Sequence, residues 1–156
     1  GPVLYQQERE GLYRKKFNIY KLRSMIINAE TSGPQWSTEN DKRITLIGKI
    51  LRKTRIDEMP QFLNVVYGDM HISGPRAEWI DLHNQYSEKI QNYNLRNNVA
   101  PGITGFAQVM FRYGHNKEDA VEKLMFDLYY IKNWSFWLEL EIGLRTVMIM
   151  LRKKGT

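Results

Sequence analysis

Residues 52–69 of the chain read RKTRIDEMPQFLNVVYGD, and this stretch decides the local fold and the candidate chemistry. Four apolar side chains recur at the helical spacing i, i+3, i+4 and i+7: Met59, Phe62, Leu63 and Val66. This spacing predicts a helix, and Gly68 is a typical residue to end it. Because proline is tolerated only in the first turn of a helix, Pro60 predicts a start close to Asp57.

Asp57 and Glu58 form an adjacent acidic pair at this predicted helix start. Residues 42–55, just upstream, carry six Lys or Arg and no acid. The N-terminus of a helix is partially positive, so it favours an ionised carboxylate and attracts phosphate. The pair therefore fits two interpretations. It is either a first-turn capping acid or a phosphate-handling site, in which an ionised carboxylate serves as nucleophile or Mg²⁺ ligand.

The length and composition predict one soluble domain over residues 1–156. The chain is 42% hydrophobic and 26% charged, which excludes disordered and collagen-like classes. It has no cysteine, so disulfides, thiolate metal sites and a cysteine nucleophile are excluded. No run approaches the ~18 apolar residues of a membrane span, and we expect that the chain does not cross a bilayer.

Positive charge is concentrated in the first third of the chain. Residues 1–56 hold 12 Lys and Arg against 5 Asp and Glu, whereas residues 57–156 hold 11 against 12. A basic segment of this kind usually binds phosphate groups, which belong to a nucleotide, a nucleic acid or lipid headgroups. The charge alone therefore also permits a non-catalytic basic module that binds nucleic acid or anionic lipid, or simply a solvated basic face.

The remaining patterns predict an α+β fold that is predominantly helical, with a small N-terminal β-hairpin. Residues 2–5 and 17–22 are predicted strands joined through Gly11. If the chain is extended over residues 17–23, the side chains of Lys21 and Arg23 lie on the same face of the strand. Further helices are predicted over residues 44–51, 79–93, 121–131 and 136–153, an extended segment over 70–73, a turn over 101–105 and a long loop over 30–41. The last helix is apolar nearly all round, which fits a membrane-interface helix or a buried core helix equally.

Position by position, the chain resembles the bacterial sugar transferases, the monotopic phosphoglycosyl transferases that act on polyprenyl phosphate. The first block of the resemblance comprises Gly1, Pro2, Val3, Gln7, Arg9 and Gly11. The others are YKLRSM (20–25), DKRIT (41–45), RKTRIDEMPQFLNV (52–65) with GDM (68–70) and GPR (74–76), PGITGFAQV (101–109) and DLYYIKN (127–133). The blocks cover essentially the whole chain in order.

The resemblance implies a covalent mechanism. Asp57 would attack the sugar-bearing phosphate of a UDP-sugar, release UMP, and pass the phosphosugar to polyprenyl (undecaprenyl) phosphate. This reaction initiates exopolysaccharide, capsule or O-antigen assembly. The implied cofactor is Mg²⁺, with Asp57 and Glu58 as ligands. The implied substrate-binding cations are Lys21, Arg52, Arg76 and Arg112.

The resemblance also implies a location at the cytoplasmic face of the bacterial inner membrane, with no nucleic-acid partner. Members of this family usually begin with a hydrophobic re-entrant helix. Because the resemblance starts with the block that follows this helix, we expect the sequence to be the catalytic domain without that helix, and soluble in isolation. One alternative is a folded chain that is inactive because the helix helps to place the polyprenyl phosphate.

Overall fold

The computed structural model describes residues 1–29, 41–111 and 117–152, with only the backbone of Lys117. The fold is α+β and predominantly helical, with a small antiparallel hairpin at the N-terminus, as predicted. The predicted loop over residues 30–41 lies, except for residue 41, outside the described residues.

The hairpin consists of β1 (Leu4–Glu10) and β2 (Lys16–Leu22), joined by a tight turn at residues 12–14. Their antiparallel register runs from Leu4 opposite Leu22 to Glu10 opposite Lys16. The first strand starts within the predicted segment but continues to Glu10. Alternate side chains of β2, those of Phe17 and Ile19, are buried against Met70. This burial fixes which face of β2 points inward.

Two helices flank the acidic pair. Helix α1 (Leu46–Thr54) ends at Arg55, whose φ of 59° is left-handed, and a single 3₁₀ turn follows at Ile56–Glu58. Helix α2 (Gln61–Val66) begins only after Pro60. The prediction of a helix start close to Asp57 was therefore wrong. The left-handed Arg55 redirects the chain, and the acidic pair lies in the connecting 3₁₀ turn.

The end of α2 agrees with its sequence. Gly68 follows the helix with a φ of +80°, a left-handed conformation that favours glycine. The chain then enters β3 (His71–Ser73), which pairs in parallel with β4 (Gly102–Thr104). The segment over residues 101–105, predicted as a turn, thus contains a strand. Three residues are too few to display the alternation by which strands are recognised.

The second half of the described chain is helical. Helix α3 (Ile80–Lys89) is shorter than predicted, because the backbone of Ile90 is extended, and a 3₁₀ segment (Tyr93–Asn98) follows the left-handed Asn92. Helix α4 (Phe106–Met110) leads towards α5 (Lys117–Lys132). Helix α6 (Phe136–Leu151) ends the described chain.

Helix α6 combines the two interpretations of its sequence. Leu138 and Ile142 are buried with Phe106 and Tyr130 in one core cluster. The exposed apolar side chains of the same helix are Phe136, Trp137, Leu140, Leu144, Val147, Met148, Met150 and Leu151. The helix therefore contributes to the core along one face and leaves apolar surface in solvent elsewhere. Within the described parts of the chain, none of the helices has both the length and the apolar character needed to span a bilayer.

Candidate active site

Glu58 lies at the centre of a cluster of cations. Its Oε1 is 3.2 Å from Lys21 Nζ on β2 and 3.7 Å from Arg76 Nη2, and its Oε2 is 3.8 Å from Arg55 Nη1. The Glu58 side chain is only 14% exposed. Burial disfavours its ionised form, but the three cations outweigh that effect and lower its pKa to about 2. Glu58 is therefore ionised at neutral pH.

Lys21 is the closest cation to Glu58, and opposing effects act on the pKa of Lys21. Burial, together with the nearby charges of Arg76 and Arg9, lowers the pKa of Lys21 to about 8, although Glu58 opposes the shift. At neutral pH the lysine still carries a charge and donates a hydrogen bond to Glu58. The site thus holds a partly buried ammonium group that is close to losing its proton.

Asp57 differs from its neighbour. The residue is 8% exposed, and no described residue hydrogen-bonds to its buried Oδ1. Burial and the charge of Glu58 raise the pKa of Asp57, while Lys21, Arg52 and Arg55 oppose the shift. The expectation that a helix terminus would favour its ionised form was wrong, because Asp57 lies outside α2. Nor does its side chain cap the 3₁₀ turn or α2.

Arg52 is positioned by a residue that follows β2 closely. Its Nε donates a hydrogen bond of 2.8 Å to the hydroxyl oxygen of buried Ser24, just after β2. Helix α1 approaches Ser24 so closely at Gly48 that a Cβ there would lie 1.9 Å from the Ser24 carbonyl oxygen. Glycine at position 48 therefore allows the approach that brings Arg52 to the site.

The structure brings together most of the predicted site residues. Lys21 and Arg76 contact Glu58, and Arg52 is close enough to influence the charge state of Asp57. Arg112 lies outside the described residues. The sequence interpretation counted Arg55 among the cations upstream of the acidic pair but did not include it among the substrate-binding residues, and the structure places it 3.8 Å from Glu58. It also missed Ser24, which partners Arg52.

Exposed apolar side chains surround the acidic pair in the chain. We call them the apolar rim: Ile56, Met59, Phe62, Leu63 and Val66, which are 42–79% exposed. The helical stripe recognised in the sequence thus faces solvent. Helix α1 adds Leu46, Ile47 and Ile50, all more than 60% exposed. A concentration of exposed apolar side chains on two successive helices is typical of a site for a membrane, a lipid or a protein partner.

The acidic pair has the donor atoms of a hard-cation site. Mg²⁺ is commonly held by one or two carboxylates together with substrate phosphates and water. No described group of three or more His, Asp or Glu side chains forms a closed metal cage. The unbonded Asp57 Oδ1 is an available donor atom. Both Glu58 oxygens already contact Lys21, Arg76 or Arg55, so a cation held by the two carboxylates would have to replace at least one of these contacts.

Comparison with known proteins places these residues in a wider context. The bacterial sugar transferase family model matches residues 1–153. The chain is 44% identical, over 99% of its length, to a UDP-N-acetylgalactosamine-undecaprenyl-phosphate N-acetylgalactosaminephosphotransferase of Aeromonas hydrophila. It is 42% and 41% identical, over 94% of its length, to UDP-glucose:undecaprenyl-phosphate glucose-1-phosphate transferases of Klebsiella pneumoniae and Escherichia coli K12. The chain spans 37%, 32% and 32% of these three relatives, respectively.

Proposed function

The chain belongs to the bacterial sugar transferase family, and on that premise we propose that it transfers a sugar 1-phosphate from a UDP-sugar to polyprenyl (undecaprenyl) phosphate. The observation that carries this proposal is the buried, unbonded Oδ1 of Asp57 beside a cluster of cations. A nucleophilic carboxylate needs a free oxygen, and a diphosphate substrate needs positive charge. The site supplies both.

Two displacements at phosphorus account for the reaction. In the first, an oxygen of the Asp57 carboxylate attacks the phosphorus that carries the sugar. The bond from this phosphorus to the bridging oxygen breaks, and UMP leaves with that oxygen. In the second, an oxygen of polyprenyl phosphate attacks the same phosphorus, and the bond to Asp57 breaks. The products are a polyprenyl diphosphate sugar and the regenerated carboxylate.

The cations around Glu58 suit the first displacement. Lys21 and Arg76 reach Glu58 from different elements, so an incoming diphosphate would be bound from two sides. Arginine binds phosphate oxygens through two parallel N–H groups, which favours Arg52 and Arg76 as the orienting residues. Their charge also stabilises the ionised form of Asp57 that the attack requires. We propose Arg112 as a further substrate-binding cation on the basis of its sequence motif.

Asp57 and Glu58 would hold the proposed Mg²⁺. When bound, the ion would neutralise charge on the transferring phosphate, as is general in phosphoryl transfer. Glu58 remains ionised well below neutral pH, so it does not need to lose a proton to bind a cation. The same ionised group keeps Lys21, Arg55 and Arg76 close to the reaction site before substrate arrives.

The apolar rim fits an acceptor that arrives from a membrane. Polyprenyl phosphate carries its phosphate on a long hydrocarbon chain, and the rim places exposed apolar side chains next to the nucleophile. We therefore propose that the rim and the exposed side of α6 lie against the cytoplasmic face of the bacterial inner membrane. Initiation of exopolysaccharide, capsule or O-antigen assembly is the corresponding proposal for the pathway.

Intact-mass spectrometry tests the covalent step. The protein is incubated with MgCl₂ and each of UDP-glucose, UDP-galactose and UDP-N-acetylgalactosamine, and UMP release is followed in parallel. We expect a sugar-phosphate adduct with one donor, and its loss together with at least ~10³-fold slower UMP release in Asp57→Asn. Exposed Asp81 provides the matched control, because Asp81→Asn should react like the wild type.

The outcomes separate the competing interpretations. An adduct that persists in Asp57→Asn would refute Asp57 as nucleophile. UMP release without a lipid product, when polyprenyl phosphate is supplied in detergent, would indicate an incomplete acceptor site. Absence of UMP release from wild-type protein, combined with binding of nucleic acid or anionic vesicles that Asp57→Asn retains, would favour the non-catalytic basic module.

A further inference from the structure

Asn64 is a polar residue in a short helix, yet it is completely buried. Its relative exposure is 0%, and it lies on α2 six residues after Glu58. The neighbouring positions 62, 63 and 66 on the same helix are exposed and apolar. A buried amide is costly unless its donors and acceptor are hydrogen-bonded, so its partners indicate what it is for.

The side chain of Asn64 bonds to the outer edge of β2. Its Nδ2 donates a hydrogen bond of 2.8 Å to the Asn18 carbonyl oxygen, and its Oδ1 accepts one of 3.1 Å from the Tyr20 amide. A residue of a parallel neighbouring strand would use its own N–H and C=O in the same pattern. The amide therefore takes the place of a third strand at the edge of the hairpin.

The backbone of Asn64 is held as well. Its carbonyl oxygen accepts hydrogen bonds from the amides of Asp69, at 2.9 Å, and Met70, at 3.2 Å, in the turn that leads to β3. One residue thus connects β2, α2 and the start of β3. Because these four hydrogen bonds, at 2.8–3.2 Å, tie one buried residue to two other segments, they restrain the spacing between β2 and the segment containing the acidic pair.

Lys21 immediately follows Tyr20, the strand residue that bonds to Asn64. Lys21 Nζ in turn donates a hydrogen bond to Glu58, in the 3₁₀ turn that precedes α2. We infer that Asn64 is a positioning residue for the proposed transfer reaction: its amide fixes β2 against α2 and thereby sets Lys21 at Glu58. This inference rests on the proposed function, and it assigns Asn64 no contact with the substrate.

A double-mutant cycle tests the inference. Initial rates of UMP release are measured for the wild type, Asn64→Leu, Lys21→Met and the double variant. Leucine has a similar size but lacks both hydrogen-bonding groups. Misplacement of a catalytic group by about 1 Å can cost about 10²-fold, so we expect kcat/KM to fall ~10- to 100-fold in Asn64→Leu. In the Lys21→Met background the same change should cost less than ~3-fold, because Lys21 is then no longer there to be positioned.

Asn18→Ala is the matched control. Asn18 contributes only its carbonyl oxygen to Asn64, and its exposed side chain can be removed with little expected effect on activity. Thermal unfolding is recorded for every variant. If Asn64→Leu is unfolded at the assay temperature, Asn64→Ser takes its place in the cycle, since its smaller hydroxyl side chain cannot make both bonds.

Equal losses in the wild-type and Lys21→Met backgrounds would overturn the inference, as would wild-type activity in a folded Asn64 variant. Failure of both Asn64 variants to fold would also overturn it, in favour of a purely structural role. An inactive wild-type protein would instead refute the proposed function, and this result is distinguishable because it precedes any comparison of variants.

Discussion

Two of the buried ion-pair clusters among the described residues are built differently. In the first, Arg96 uses all three guanidinium nitrogens, donating from Nε to Asp127, from Nη1 to the Tyr93 hydroxyl and from Nη2 to the Arg76 carbonyl, each at 3.0 Å. In the second, Glu58 is shared among cations at 3.2–3.8 Å, beside an Asp57 oxygen to which no described residue hydrogen-bonds.

The difference distinguishes structure from chemistry. A buried polar cluster with matched hydrogen bonds makes the fold rigid, and its polar groups are not available to bind a ligand. A cluster with several cations on one carboxylate and an unbonded acceptor beside it can rearrange around an anion. The two clusters meet at residue 76, whose carbonyl belongs to the first and whose side chain belongs to the second.

Disrupting the first cluster is expected to have the largest effect on stability. Replacing Arg96 with Met leaves the carboxylate of Asp127, which is 2% exposed, without its close cation. We expect Arg96→Met to lower the free energy of unfolding by about 3–5 kcal/mol, measured by urea denaturation at pH 7. Arg145→Met is the control: its ion pair with Glu141 is more than 40% exposed on both sides, and its removal should cost below ~0.5 kcal/mol. Similar costs for the two variants would contradict the comparison.

A smaller effect tests the charge state of the second cluster. The pKa of Glu58 is about 2 in the folded protein against 4.5 ordinarily, so its ion pairs stabilise the fold above pH 4.5. This contribution is lost as the pH falls from 4.5 through 2, because the unfolded chain takes up the proton more readily. One pKa unit corresponds to about 1.4 kcal/mol, and the loss approaches ~3 kcal/mol.

Urea denaturation at several acidic pH values measures this dependence. We expect Glu58→Gln to flatten the stability profile between pH 4.5 and 2, whereas Glu88→Gln, at an exposed position, should retain the wild-type slope. An unchanged profile in Glu58→Gln would mean that the cations do not hold this carboxylate in its ionised form.

The smallest effect has the opposite sign. Asp57 keeps a buried oxygen without a hydrogen-bond donor among the described residues, and its raised pKa means that the ionised form is disfavoured in the folded protein. At pH 7 we therefore expect Asp57→Asn to raise the free energy of unfolding by about 1 kcal/mol. Thermal melts beside Asp81→Asn provide the measurement. A marked loss of stability would indicate a structural rather than a chemical role.

Much of the fold follows from local patterns. Residues 17–22 were predicted as a strand and form β2, the apolar spacing of residues 121–131 predicted α5, and the long apolar segment from residue 136 predicted α6. The failures are local as well. The strand at Gly102–Thr104 is too short to recognise. The left-handed Arg55 displaced the start of the helix predicted near Asp57, and the extended Ile90 ended α3 before its apolar spacing did.

Most residues of the candidate site were predicted from the sequence, but the contacts among them were not. Asp57, Glu58, Lys21, Arg52 and Arg76 came from motifs, and the structure places these residues near one another. Arg55 was counted only as part of the upstream basic segment, because its contact with Glu58 depends on the left-handed turn at Arg55. The apolar spacing of residues 59–66 predicted a helix correctly, but periodicity does not reveal whether the apolar face is covered.

The sequence by itself determined the family, the fold class and the residue types available for chemistry, since these depend on motif, composition and local period. Only the tertiary structure decided that two adjacent carboxylates have opposite surroundings, with Glu58 enclosed by cations and Asp57 left with an unbonded oxygen. The physical reason is that burial and charge at a side chain are summed over neighbours from distant segments. Lys21, on β2, and Arg76, beyond β3, meet Glu58 only once the chain has folded.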